Sequence, residues 1–112
     1  MPDSLPPAVT PASLSFVGHG LVRPECVLAT RAGMLYTADW RGGVAATDAT
    51  GTSSLIAATA GAPRALRPNG IALRRDGSFL LADLGETAGG VFALARDGSV
   101  RPFCVAVDGA AL

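Results

Sequence analysis

"LRPNGIALRRDGSFLLAD" (Leu66–Asp83) follows the same pattern as "VRPECVLATRAGMLYTAD" (Val22–Asp39). Arg23-Pro24 and Arg67-Pro68 stand 44 residues apart, as do Gly33 and Gly77, and Asp39 and Asp83. Further along, Gly42-Gly43-Val44 falls on Gly89-Gly90-Val91 and Gly51 on Gly98, now 47 apart. The three extra residues enter where "LGETAGG" (84–90) replaces "WRGG" (40–43). A loop tolerates such an insertion and a strand does not.

Each repeat divides into four short apolar runs. "CVLAT" and "GIALR" come first, followed by the turn signals "RAG" and "RDG". "MLYTAD" and "FLLAD" lead to Gly-Gly turns, then come "VAATDA" and "VFALA". "TGT" and "RDGS" precede the last runs, "SLIAAT" and "VRPFCVAV". Runs of this length between Gly- and Asp-containing turns read as strands. "SSLIAATAGAPRAL" (53–66) has helical Ala content, but Gly61 and Pro63 cut it short, so a strand running into a loop is expected.

Four strands in about 45 residues, repeated, is the pattern of β-propeller blades. The expectation is an all-β, propeller-type fold. Residues 1–19 form an extended Pro-rich arm, and 20–112 a partial propeller with blade 1 at about 23–62 and blade 2 at about 67–108. A single four-stranded blade cannot bury both faces, and propellers close with about 4–8 of them. Two blades therefore read as part of a ring, as a unit that self-associates through exposed blade edges, or as another compact β structure.

Composition bounds the function. Of 112 residues 49% are hydrophobic and 16% charged, which excludes a disordered polar tail. Nine basic residues, all Arg, balance nine acids. No basic field exists to hold nucleic acid or an anionic membrane, so neither is an expected partner. No apolar run is long enough to span a bilayer, and the N-terminus has no secretory pattern, so the expected location is cytoplasmic. Cys26 and Cys104 lack metal-site spacing and sit among apolar neighbours, as small reduced core residues do.

"RPEC" followed by "LYTADWRGGV", and then "RPNGIALRRDGSFLLAD" with "GGVFALARDGSVRPF", resembles the first part of the SMP-30/gluconolactonase/LRE-like family. The similarity runs from about Gly20 to Leu112. It implies a six-bladed propeller and a metal-dependent lactone hydrolase whose substrate is a small-molecule lactone. It also implies a divalent metal, Ca or Zn, with Mg or Mn as further candidates, held in the central channel by oxygen ligands. The family's first ligand, a Glu, falls on Glu25. The later Asn and Asp ligands have no counterpart in this sequence, so it holds no complete catalytic set and is expected to be inactive alone. Asn69 occupies the place in the second repeat that Glu25 has in the first, which makes it a candidate substrate contact; "PNG" is also a turn signal in its own right. Strictosidine synthase-like propellers share the second phrase and are one alternative. A non-enzymatic β-repeat binding module or self-assembling half-propeller is the other.

The remaining polar residues have plainer readings. His19, between two glycines, is an exposed loop histidine. Asp39 and Asp83 recur at one position, as structural acceptors of backbone N–H groups do. Trp40 reads as packing, and Asp48, Asp76, Asp97 and Asp108 as solvated turn residues.

Overall fold

A computed structural model describes residues 8–61, 65–85 and 89–112. The Pro-rich start of the arm (1–7), Pro63 and part of the "LGETAGG" insertion (86–88) lie outside the described residues. From residue 8 to 19 the arm is largely exposed and holds one 3₁₀ turn, Pro11–Ser13.

The first repeat gives β1 (Val27–Ala29), β2 (Leu35–Asp39), β3 (Gly43–Thr47) and β4 (Ser53–Ala57). The second gives β5 (Pro68–Leu73), β6 (Phe79–Asp83), β7 (Gly90–Leu94) and β8 (Val100–Cys104). Each set is one antiparallel sheet in simple sequential order. The register is repeated as well. Val27↔Thr37 becomes Ile71↔Leu81, Leu35↔Thr47 becomes Phe79↔Leu94, and Ala45↔Leu55 becomes Phe92↔Pro102. The second sheet departs from this at two β-bulges, one between Pro68 and Gly70 and one at Val91/Phe92.

Turn chemistry fixes that register. Gly33, Gly51, Gly77 and Gly98 hold φ between 85° and 91°, the left-handed conformation that favours Gly. Before three of these glycines an aspartate accepts backbone bonds. Asp48 Oδ1 takes the N–H of Thr50 (2.9 Å) and Thr52 (3.0 Å), Asp76 Oδ1 that of Ser78 (2.9 Å), and Asp97 Oδ1 that of Ser99 (2.9 Å).

The two sheets pack face to face. Tyr36, Ala38, Val44 and Ala46 of the first meet Ile71, Phe79, Leu81, Phe92, Leu94 and Val100 of the second, with Leu66 between. Tyr36 and Phe79 meet edge to face at 5.1 Å. The Arg96 guanidinium lies 5.0 Å from both ring centres and donates to Gly77 O (2.7 Å) and Tyr36 Oη (3.1 Å). After β4 the chain runs parallel to the start of β8, where Thr59 N–H donates to Gly98 O and Val100 N–H to Ala60 O.

One strand boundary differs from the sequence reading. "VRPFCVAV" is not a single strand. The chain leaves β8 at Cys104 and forms a hairpin of β9 (Ala106–Val107) and β10 (Ala110–Ala111). Asp108 and Gly109, with φ of 50° and 79°, make its two-residue turn. Leu112 then pairs with Val105 and Gly89, which bends the chain back across the end of the second sheet.

The result is all-β, with sheets of four, four and two antiparallel strands. Among the described residues no helix is long and apolar enough to cross a membrane.

Candidate functional site at the strand-entry end

Glu25, Asn69, Asp39, Asp83 and Trp40 all fall at one end of the paired sheets, where β1 and β5 begin and β2 and β6 finish. The chain enters both sheets in the same way. Trp40 N–H donates to Val22 O (2.9 Å) and Leu84 N–H to Arg67 O (3.1 Å). Asp39 Oδ2 accepts Val22 N–H (3.2 Å), and Asp83 Oδ1 accepts Arg67 N–H (2.7 Å). The recurring aspartates thus fasten the entering chain to the exit of the second strand.

Asp39 is fully buried. Its Oδ1 accepts Arg41 N–H and Nε–H, and its Oδ2 accepts Arg41 Nη2–H, all at 2.9 Å. Burial pushes this carboxyl up. The bonds from Arg41 and Val22, together with the Arg41 charge, push it down and prevail, so it sits below the usual carboxylate value. Asp39 has no lone pair to spare for a ligand.

Glu25 is differently placed. Between the entry contact and the ladder, Arg23 takes a left-handed φ of 51° and Glu25 N–H closes back on Arg23 O (2.9 Å). This loop carries the Glu25 side chain into solvent, where it pairs with Arg23 Nη2 at 2.9 Å and stays 44% exposed. Arg23 also stacks on Trp40, 4.3 Å from the ring centre, and Arg67 stands 5.5 Å from the same ring. Sequence reading gave Trp40 a packing role but missed this Arg-Trp-Arg stack. Its only signal is the recurrence of Arg before Pro in both repeats.

Asn69 is the bulge residue of β5, in a strand and not in a turn. It is half-buried, and its Oδ1 is buried without a partner among the described residues. Cys26 Sγ lies 3.8 Å from Ile71 O, so the starts of β1 and β5 pack together. Glu25 and Asn69 therefore flank one junction.

As metal donors these two are hard oxygens, which suits Ca²⁺ or Mg²⁺ and tolerates Zn²⁺. Their number does not suffice, since Ca²⁺ takes 6–8 oxygens. Among the described residues no three His, Cys, Asp or Glu side chains gather to hold an ion. His19 is exposed, its N–H donating to Ser53 Oγ (3.4 Å), and both cysteines are free and half-buried.

No protein-family model, no curated protein and no solved structure matches the chain.

Proposed function

We propose that the two sheets are successive blades of a propeller-type lactone hydrolase, resembling the SMP-30/gluconolactonase/LRE-like family. In this reading Glu25 is one oxygen ligand of a divalent ion, and further ligands come from residues outside these two blades. The carrying observation is the repeated strand entry, which gives Glu25 and Asn69 matching places at packed first strands. The orphaned Asn69 Oδ1 supports a polar ligand at that junction. A bound ion would polarise the lactone carbonyl and activate water. The contribution of this chain is to hold one carboxylate at the strand-entry end and to keep Arg23 against it.

Trp40, the single tryptophan, gives the test, because Arg23 links its ring to Glu25. In a form of the protein that supplies the further ligands, titration with CaCl₂, and separately with ZnCl₂, should change Trp40 emission saturably. Glu25→Gln should abolish the change and Asn69→Ala weaken it. A response unaltered in Glu25→Gln removes Glu25 from the site. Hydrolysis of a simple lactone, with and without the ion, then separates a hydrolase from a binding module.

The second reading, a non-enzymatic β-repeat protein, is favoured by the apolar outer face of the second sheet, with Ala72 and Ala82 exposed. Self-association through the β8 edge is less favoured, because Pro102 removes a ladder N–H there.

A further inference from the structure

We infer that a cleft at the end of the second sheet opposite Glu25 is a binding site for a small organic phosphate, gripped by Arg74 and Arg101. The cleft holds about 350 Å³, and both arginines line it beside Ala93 and Ala95. Strand register builds it. Arg101 of β8 stands opposite Ala93 of β7, Ala93 opposite Leu80 of β6, and Leu80 opposite Ala72 of β5. Arg74 extends that ladder, its N–H on Ser78 O (2.8 Å), and shares the face of Ala72 two residues before it. The short side chains of Ala93 and Ala95 leave Arg74 room to reach across the sheet. Its guanidinium comes to 5.6 Å from the ring centre of Phe103, on β8. Two guanidinium groups from opposite edge strands thus line one cleft.

Their charge is not matched within the cleft. Neither arginine forms a salt bridge among the described residues. Asp76, the acid of the cleft, gives its Oδ1 to Ser78 N–H (2.9 Å) and Ser78 Oγ–H (2.5 Å). Ser99 Oγ–H goes to Asp97 Oδ1 (2.7 Å). Among the described lining side chains, the guanidinium N–H groups are therefore the donors left for a ligand. The fold does not need them. The counterparts of Arg74 and Arg101 by repeat position are Thr30 and Ser54, and the first repeat forms the same four-stranded sheet without either cation. Nor would a further sheet seal the cleft. The second sheet already packs on the first, yet Ala32, Thr52 and Ser54, the counterparts of Asp76, Ser99 and Arg101, stay exposed there.

The ligand class follows from donors and volume. Two planar forks arriving from different strands suit a tetrahedral oxyanion, whose terminal oxygens accept from both. A carboxylate has two oxygens in one plane, which a single fork satisfies. Inorganic phosphate alone would leave much of the cleft empty. The methyl groups of Ala93 and Ala95, with the Phe103 ring nearby, offer apolar surface to an organic body. The site uses neither Glu25 nor a metal, so it stands or falls apart from the proposed function.

Isothermal titration of the 112-residue chain with phenyl phosphate should show saturable binding at one site per chain. Binding should weaken with added salt, and Arg74→Ala and Arg101→Ala should each weaken it at least about tenfold. Arg101→Lys should stay at least about threefold weaker than wild type, because an ammonium offers no fork. Arg31→Ala, on the corresponding turn of the first repeat and outside the cleft, should bind as wild type does. No saturable binding by about 10 mM phenyl phosphate overturns the inference, as does an affinity unchanged in both cleft variants or equally lost in Arg31→Ala. On the wild-type chain alone, benzoate or inorganic phosphate bound as tightly as phenyl phosphate would make the cleft a general anion contact and overturn it too.

Discussion

Replacing Asp39 tests whether the strand-entry fastening governs stability. Asp39→Ala orphans the N–H groups of Val22 and Arg41 and strips Arg41 of its carboxylate. The Arg41 side chain is 40% exposed and rehydrates, so the ion pair itself adds little. Two deprived backbone donors and a small cavity dominate, for a cost of about 2–4 kcal/mol. For a domain of this size that lowers Tm by about 10–20 °C, read by circular dichroism. Asp39→Asn keeps the shape and separates out the charge. The folded carboxyl titrates below its unfolded value, so its contribution is complete above about pH 4 and fades as pH falls through the folded value. The stability gap between wild type and Asp39→Asn should therefore narrow from pH 5 toward pH 2. A gap that stays constant over that range, or an Asp39→Ala cost below about 0.5 kcal/mol, would refute the fastening argument.

The other expectations address packing. Arg96→Ala loses two hydrogen bonds and contact with two rings, so urea unfolding should show a loss of about 1–2 kcal/mol. Lys in its place should restore less than half, because an ammonium cannot lie flat between Tyr36 and Phe79. Gly43→Ala places a Cβ 1.9 Å from the Ile56 carbonyl oxygen, which must force β3 from β4; a loss of about 2–4 kcal/mol is expected, and a neutral result would mean the strands separate freely. Thr37→Val removes a buried hydroxyl that has no partner among the described residues and should stabilise by about 0.5–1.5 kcal/mol in the same assay.

The strand plan was legible because turn chemistry is local. A Gly at the left-handed position and an Asp accepting nearby N–H groups are written in adjacent residues, as in "RDGS" at 96–99. The duplicated phrase then placed four short strands in each repeat; their pairing and register came from the structure. The hairpin at Ala106–Ala111 escaped notice. Its Asp-Gly signal lay in an apolar run, and its anchors, Gly89 and Val105, reach Leu112 only in three dimensions. Of the candidate site, the positions of Glu25 and Asn69 could be named from sequence. The ion pair of Glu25 with Arg23 and the bulge that orphans Asn69 Oδ1 could not.

By itself the sequence determined a repeated, all-β chain of two four-strand units, since period, turns and offset are properties of neighbours along the chain. Tertiary structure alone decided which faces meet. The same repeat position is Tyr36, buried against Phe79, in one unit and Leu80, on the open face, in the next. That asymmetry depends on where the arm lies and on which sheet supplies the bulk, and distance in space sets both.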